Sequence, residues 1–143
     1  MLKVLFLCTG NSCRSQMAEG WARHLIADDV EAYSAGVATH GMNPYAMSVM
    51  AEAGVDIGGQ YSKHVDELAE IPFDYVIAVC DHAAETCPTF RGDAQIIRHQ
   101  FDDPPKLASS AATDEERLVH YRRVRDEIRE FVAGLPNLLK DVG

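Results

Sequence analysis

The sequence predicts an α/β fold built on a mostly parallel sheet, and three observations support that prediction. Two short apolar runs, 2–7 and 73–79, have the length and composition of strands buried on both faces. Weaker strand patterns occur at 32–35 and 94–98, each bracketed by turn residues. Segments with helical periodicity separate the strands, and this alternation is typical of a parallel sheet covered by helices.

The helical segments can be placed from their apolar spacing and their end signals. Apolar residues recur every four positions over 16–27, which predicts the first helix. Asn43 is an N-cap residue followed by proline, and a second helix is expected to run from there to a stop at Gly54. Thr113 opens a capping-box pattern, and the period that follows predicts one long helix to the end of the chain. The segment 102–110, with two prolines and two serines, is predicted to be a loop.

Composition and charge exclude several classes of protein. The chain has 143 residues, of which 47% are hydrophobic, and we expect one domain over 1–143. Thirteen Lys and Arg against 22 Asp and Glu give a net charge of −9, which argues against nucleic acid as a partner. The apolar runs are far shorter than the roughly 20 residues that cross a bilayer, so no membrane partner is expected.

The four cysteines are the residues that most need an explanation. The start of the chain lacks the longer apolar region of a secretory signal, and we therefore expect a cytoplasmic protein. Cysteines in a reducing compartment are seldom structural disulfides. Each is therefore a core side chain, a metal ligand or a reactive thiol.

The segment 8–15, CTGNSCRS, joins the end of the first strand to the start of the first helix. A loop in that place turns backbone N–H groups toward the positive end of a helix, which makes an anion site. Gly10 permits a positive φ or a close approach, and Asn11 tolerates the left-handed region. The guanidinium of Arg14 can take two oxygens of a tetrahedral oxyanion. The predicted oxyanion-binding loop consists of Thr9, Gly10, Asn11, Ser12, Cys13 and Arg14.

Within this loop Cys8 is the predicted nucleophile. The loop N–H groups and Arg14 are expected to stabilise its thiolate and to lower its pKa below the free value of about 8.5. Ser15 is placed to donate a hydrogen bond to that thiolate. Cys13 is interpreted as a small buried side chain, the common fate of a free cysteine.

The pattern of Cys8, five residues and then Arg14 and Ser15, directly after the first strand, resembles the low-molecular-weight protein tyrosine phosphatases. The resemblance extends to FDDPP at 101–105, where that fold keeps a general acid before a proline. By this correspondence Asp103 is the proton donor. Taken alone, an Asp-Asp-Pro sequence is more often a solvated turn.

A second pair, Cys80 and Cys87, distinguishes a reductase from a phosphatase. If the strand order is 2-1-3-4, the strands before Cys8 and Cys80 are neighbours, and both thiols emerge at the edge where such sheets bind ligands. Cys80 and Cys87 would lie on the order of 10 Å apart along an intact helix. Because a disulfide needs Cα atoms within roughly 7 Å, their segment must rearrange to join them.

The whole chain is similar to the thioredoxin-coupled arsenate reductases. The matching blocks are CTGNSCRSQMAEGW at 8–21, YSAG at 33–36, THG-x-NP at 39–44, the Cys80 and Cys87 pair, FDDP at 101–104 and RVRDEI at 123–128. The resemblance implies a three-layer sandwich with a four-stranded parallel sheet of order 2-1-3-4, resembling the low-molecular-weight phosphatases. It implies reduction of arsenate to arsenite in arsenate detoxification, with Cys8 as nucleophile, Cys80 and then Cys87 as resolving thiols, and thioredoxin as the recycling partner. We expect a monomer that needs no cofactor.

Two further expectations come from the same resemblance. The loop 37–41 lacks the aromatic wall of the tyrosine phosphatases, so room only for a compact oxyanion is expected. Some relatives hold potassium with side chains that correspond to Asn11, Glu19 and Ser34 and a further acid. Here Lys63 stands at the fourth position and its ammonium can replace the ion, so no metal is predicted.

Two alternatives remain open at this point. In the first, the protein is a low-molecular-weight phosphatase in which Cys80 and Cys87 are incidental. In the second, it is a structural zinc or redox-sensing module built on the four cysteines, although spacings of five and seven residues without CxxC fit zinc poorly.

Overall fold

The structure is a computed structural model that describes residues 1–80 and 94–142. The main elements in chain order are β1 (Leu2–Cys8), α1 (Arg14–Leu25), β2 (Val30–Gly36), α2 (Pro44–Glu52), β3 (Tyr75–Ala78), β4 (Gln95–Arg98), α3 (Pro104–Leu107), α4 (Asp114–Ala133) and α5 (Leu135–Val142). Short 3₁₀ turns cover Val65–Leu68 and Ala108–Ser110. Each predicted strand is therefore present, with ends shifted by no more than two residues.

The sheet has four strands in the order β2-β1-β3-β4, and every neighbouring pair is parallel. This confirms the predicted α/β class and the predicted strand order. Cys8 lies opposite Gly36 on β2, and Leu7 lies opposite Ala78 on β3. Because parallel strands end at one edge, the residues that follow β1 and β3 meet there.

The apolar composition of β1 explains its central position. Its residues Val4, Leu5, Phe6 and Leu7 are all fully buried, as they must be in a strand covered on both faces. Helices on both sides of the sheet provide that cover. On α1, Trp21 is buried and its indole Nε1 donates to the Arg125 carbonyl of α4 at 3.2 Å. The core thus holds the carboxyl end of β1 and the start of α1 in a rigid setting.

The second helix begins as the sequence predicts. The Asn43 side chain accepts hydrogen bonds from the Tyr45 and Ala46 N–H groups at 2.9 and 3.2 Å, which satisfies two donors of the first turn. The helix ends at Glu52, and Gly54 lies just beyond it with φ +85°. The proline after Asn43 occupies a first-turn position, where its missing N–H costs nothing.

Two predictions about the second half of the chain are wrong. The single terminal helix is two helices. The first, α4, ends at Ala133 and is followed by the C-cap residue Gly134, whose N–H donates to the Glu130 carbonyl. The second, α5, places Leu135 and Leu139 in the core. The predicted loop 102–110 contains α3 and a 3₁₀ turn, because Pro104 is buried and occupies a first-turn position of a helix. Both differences arise because these side chains are buried against distant parts of the chain. The periodicity of a local segment does not predict such burial.

Within the described residues, none of the helices is long and apolar enough to cross a membrane.

Candidate active site

A cavity of about 590 Å³ lies at the edge where β1 and β3 end. The described residues that line it are Cys8, Thr9, Gly10, Ser12, Cys13, Arg14, His40, Asn43, Cys80, Gln100, Asp103, Pro105 and Lys106. The structure therefore brings together five of the six residues of the oxyanion-binding loop, both described members of the predicted thiol relay and the predicted proton donor. Cys87, the third member of the relay, lies outside the described residues.

The oxyanion-binding loop is held in shape by the buried side chain of Asn11. Its φ of +48° is the left-handed conformation that asparagine tolerates. Its Nδ2 donates to Ser15 Oγ at 2.9 Å, and its Oδ1 accepts from Gln16 Nε2 at 2.8 Å and from the Lys63 N–H at 2.9 Å. The amide thus ties the loop to α1 and to the segment before the first 3₁₀ turn, as predicted for this residue.

A neighbouring segment supports the other side of the loop through backbone hydrogen bonds. The N–H groups of Ala38, His40 and Asn43 donate to the Thr9, Gly10 and Ser12 carbonyls, each at 3.0 Å. The His40 ring packs so closely on Gly10 that a Cβ at position 10 would overlap it. Gly10 therefore permits the close approach of the His40 ring, which is one of the two roles that the sequence predicts for this glycine.

Arg14 is the first residue of α1 and lines the cavity beside Asp103. Its Nη1 donates to the Phe101 carbonyl at 2.8 Å, and its Nη2 lies 3.8 Å from Asp103 Oδ2. One edge of the guanidinium is therefore fixed to the protein, while the other faces the predicted general acid. Asp103 is 40% exposed, so its carboxyl can reach a bound ligand.

Cys8 and Cys80 form a close thiol pair at the sheet edge, and both side chains are buried. Thr9 Oγ1 lies 3.2 Å from Cys80 Sγ, within hydrogen-bond distance for sulfur. The two thiols come from strands that are neighbours in the sheet but lie 72 residues apart in the sequence. The predicted meeting of these two side chains is therefore present in the structure.

The pKa of Cys8 does not shift in the predicted direction. The hydrogen bond with Cys80, burial and the charge of a Cys80 thiolate raise the pKa of Cys8 well above its ordinary value. Arg14 and the Thr9 N–H lower it, as the sequence suggested, but they do not prevail. Two thiols in contact do not ionise together, and this coupling was not visible in the loop sequence.

Ser15 and Cys13 complete the loop. Ser15 Oγ accepts a hydrogen bond from Asn11 Nδ2, and the predicted hydrogen bond from Ser15 to the Cys8 thiolate is not formed. Ser15 therefore stabilises the loop. Cys13 is buried, and burial raises its pKa, which keeps it a neutral thiol. This agrees with its interpretation as a packed side chain.

A buried polar cluster lies behind the loop, around Lys63. Its Nζ donates to the Ser34 and Tyr61 carbonyls at 2.9 and 3.0 Å and lies 3.9 Å from Glu19 Oε1. Ser34 Oγ donates to the same Glu19 oxygen at 2.6 Å. Burial lowers the pKa of Lys63, while the nearby Glu19 raises it. The structure thus places an ammonium among the Glu19 and Ser34 oxygens, and no group of three or more His, Cys, Asp or Glu in 1–80 and 94–142 could hold a metal ion.

Sequence reasoning missed Gln16, which is fully buried beside the loop. Its Nε2 donates to the Asn11 and Tyr61 carbonyls as well as to the Asn11 side chain, and Gln60 Nε2 donates back to its Oε1 at 2.8 Å. The sequence contains one signal for this role. Gln16 is a polar residue that directly follows Ser15 of the loop and precedes the apolar residues of α1. His40 and Lys106 were also missed as cavity residues, and nothing in their local sequence marks them.

Comparison with known proteins adds an independent line of evidence. The family model described as low molecular weight phosphotyrosine protein phosphatase matches residues 3–142. An arsenate reductase of Halalkalibacterium halodurans is 46% identical over 125 residues, covering 87% of this chain and 88% of the relative. An arsenate reductase of Bacillus subtilis is 45% identical over 125 residues, with the same coverage of both chains.

Solved structures agree with these relatives. A structure described as an arsenate reductase in the phosphate binding state aligns with a TM-score of 0.77 and 34% identity, covering 96% of this chain and 98% of that one. Another, described as an arsenate reductase in the intermediate state, aligns with a TM-score of 0.75 and 31% identity, covering 97% and 99%. The chain therefore belongs to the low molecular weight phosphotyrosine protein phosphatase family and, within it, groups with the arsenate reductases.

Proposed function

We propose that this protein reduces arsenate to arsenite by a relay of three thiols, with Cys8 as nucleophile and Cys80 and then Cys87 as resolving cysteines. The observation that carries the proposal is the contact between the Cys8 and Cys80 thiols in the cavity beside Arg14. Hydrolysis of a phosphate ester needs one nucleophilic thiol, whereas a two-electron reduction needs two thiols that can join. The relatives described above, which are arsenate reductases, support the choice of substrate.

In the first step the Cys8 thiolate attacks arsenic in an arsenate held by the loop and by the edge of the Arg14 guanidinium that faces Asp103. A sulfur–arsenic bond forms and an arsenic–oxygen bond breaks, and Asp103 gives its proton to the departing oxygen, which leaves as water. The fixed hydrogen bond from Arg14 to the Phe101 carbonyl orients the guanidinium before substrate arrives. Such preorganisation reduces the entropy cost of reaching the transition state.

In the second step the Cys80 sulfur attacks Cys8. The new disulfide breaks the sulfur–arsenic bond, and its electron pair stays on arsenic, which leaves as arsenite. Arsenic gains two electrons while the two thiols lose them. Thr9 Oγ1 lies 3.2 Å from Cys80 Sγ and can donate a hydrogen bond to that thiolate, which favours the attacking form.

In the third step Cys87 attacks Cys80 and releases Cys8, moving the disulfide to the Cys80 and Cys87 pair by ordinary exchange. We propose that thioredoxin then reduces this disulfide. Its docking surface is proposed at Pro88 and the segment around it, which lie outside the described residues. The relay needs no cofactor, and we propose a cytoplasmic monomer in which these thiols are kept reduced. The chemistry serves arsenate detoxification.

One experiment tests the relay directly. The fully reduced protein is mixed with excess arsenate without any external reductant, arsenite is quantified, and disulfides are mapped by peptide mass spectrometry. We expect about one arsenite per chain and a linkage between Cys80 and Cys87. The Cys13→Ala variant is the matched control and should give the same result. A protein that forms no arsenite, or one in which Cys80 remains a free thiol after arsenite forms, would contradict the relay.

A further inference from the structure

The cavity above the oxyanion-binding loop is larger than the small tetrahedral anion that the loop can surround. Its volume of about 590 Å³ lies within the range of roughly 300–1,000 Å³ in which proteins hold organic ligands. The expectation of room only for a compact oxyanion, drawn from the missing aromatic wall, is therefore wrong. The cavity can therefore admit a ligand larger than arsenate.

The wall beyond the loop is polar. Its described residues are His40 and Asn43, which precede α2, and Gln100, Pro105 and Lys106 around the start of α3. Among the described lining residues there is no Phe, Tyr or Trp, so an uncharged aryl group would gain no aromatic stacking there. The additional space is thus suited to a polar ligand rather than to an apolar one.

The charges of this wall favour an anion. Lys106 carries a positive charge, and in the part of the chain that the structure describes it forms no ion pair with a carboxylate. Asp103 is the one carboxylate among the described lining residues, and its partner is Arg14 at 3.8 Å. Although the chain has a net charge of −9, this ammonium creates a local positive potential in the cavity. That potential attracts an anion that enters the cavity.

Lys106 and His40 are both held by their surroundings. The His40 backbone N–H donates to the Gly10 carbonyl at 3.0 Å, and its ring packs on that glycine, so the imidazole is fixed directly beside the loop. The Lys106 carbonyl accepts a hydrogen bond from Ser109 Oγ at 2.7 Å, and the helix that carries it starts at the buried Pro104. Only the flexible Lys106 side chain must order when a ligand binds.

We infer that Lys106 and His40 form a second anion subsite beside the oxyanion-binding loop. The protein then binds small organic phosphates and phosphonates whose far end carries a carboxylate more tightly than equally long compounds without one. This inference rests on the loop being an oxyanion site, as the proposed function requires, and it adds a class of ligand that the reduction of arsenate does not use.

Calorimetric titration of the reduced protein with three probes tests the subsite. The probes are inorganic phosphate, propylphosphonate and 3-phosphonopropionate, which has the same chain length with a terminal carboxylate. We expect 3-phosphonopropionate to bind on the order of 3- to 10-fold more tightly than propylphosphonate at low ionic strength, with a smaller ratio at high salt. The ratio should fall toward one in Lys106→Met and should persist in Lys106→Arg.

Lys140→Met is the matched control, because it removes the same charge from an exposed position on α5 outside the cavity. Its ratio should equal that of the wild type. A ratio near one in the wild-type protein, or a ratio unchanged in Lys106→Met, would refute the second subsite while leaving the oxyanion site intact. Failure of inorganic phosphate to bind the wild type would instead refute the oxyanion site on which both proposals depend.

Discussion

Cys8 and Cys13 stand at the two ends of the same loop, have the same 5% exposure and nevertheless have different surroundings. Cys8 touches a second thiol, Cys80, whereas the pKa of Cys13 is dominated by burial, with Arg14 and Asp103 as weaker influences. Residue type and burial therefore do not distinguish the proposed nucleophile from the thiol that we interpret as a packed side chain. What distinguishes them is the neighbour, because a thiol can pass electrons only to a group that it can bond.

The largest effect is expected at the Cys8 end of the loop. Cys8→Ser should abolish arsenite formation and leave the fold intact, since a serine hydroxyl is not appreciably ionised and cannot form the disulfide. Arsenite production and thermal unfolding should be measured on the same preparation. Arsenite formation at the wild-type rate by a folded Cys8→Ser protein would remove Cys8 from the role of nucleophile.

Substitution of either proposed resolving cysteine should stop arsenate reduction, but at different steps of the relay. Cys80→Ser should form no free arsenite while still hydrolysing a small aryl phosphate slowly, because hydrolysis needs only Cys8, Arg14 and Asp103. Cys87→Ser should release about one arsenite per chain and then stop with Cys8 bonded to Cys80. Arsenite counting and disulfide mapping separate these outcomes. Sustained reduction by Cys80→Ser would restore the phosphatase alternative.

Across the cavity from the loop, next to Arg14, Asp103→Asn should slow the chemical step by about 10²- to 10⁴-fold, the usual contribution of a positioned acid. Asp102→Asn is the matched control and should have a much smaller effect, because Asp102 points to Arg123 at 3.0 Å and does not line the cavity. Single-turnover kinetics on both variants provide the measurement. The reverse order of effects would identify Asp102 as the proton donor.

The contact between the thiols should also be visible in a pH profile. Because the hydrogen bond with Cys80 raises the pKa of Cys8, the midpoint for alkylation of Cys8 in the ligand-free protein should lie above the ordinary value of a thiol. In Cys80→Ala that cause is gone, so the midpoint for alkylation of Cys8 should move to lower pH. Peptide mass analysis after brief alkylation at each pH reports Cys8 alone. Cys13→Ala should leave the midpoint unchanged, and a shift of equal size there would argue against the contact.

The smallest effect on activity is expected for Cys13→Ser. The variant should keep its rate of arsenate reduction and lose roughly 1–3 kcal/mol of stability if the buried hydroxyl finds no partner. Denaturant unfolding and steady-state rates measured together test this. A well-folded Cys13→Ser protein without activity would show that both ends of the loop take part in the chemistry.

Local sequence was sufficient for much of this molecule. The apolar run of β1, the N-cap at Asn43 and the strained position of Asn11 each follow from neighbouring residues, because strand burial, helix capping and left-handed backbone depend on short-range chemistry. The order of the strands followed from the family resemblance, and the structure confirms it.

Other features were decided only by the tertiary structure. The break at Gly134 serves the burial of Leu135, and the anchoring of Arg14 depends on a carbonyl 87 residues away. The pKa of Cys8 rises because β3 delivers Cys80 to the same sheet edge. These properties depend on distances between residues remote in the chain, and a pattern within one segment contains no information about such distances. The sequence thus predicted the oxyanion-binding loop, whereas the packing of β3 beside β1 determined that Cys8 is the loop thiol in contact with Cys80.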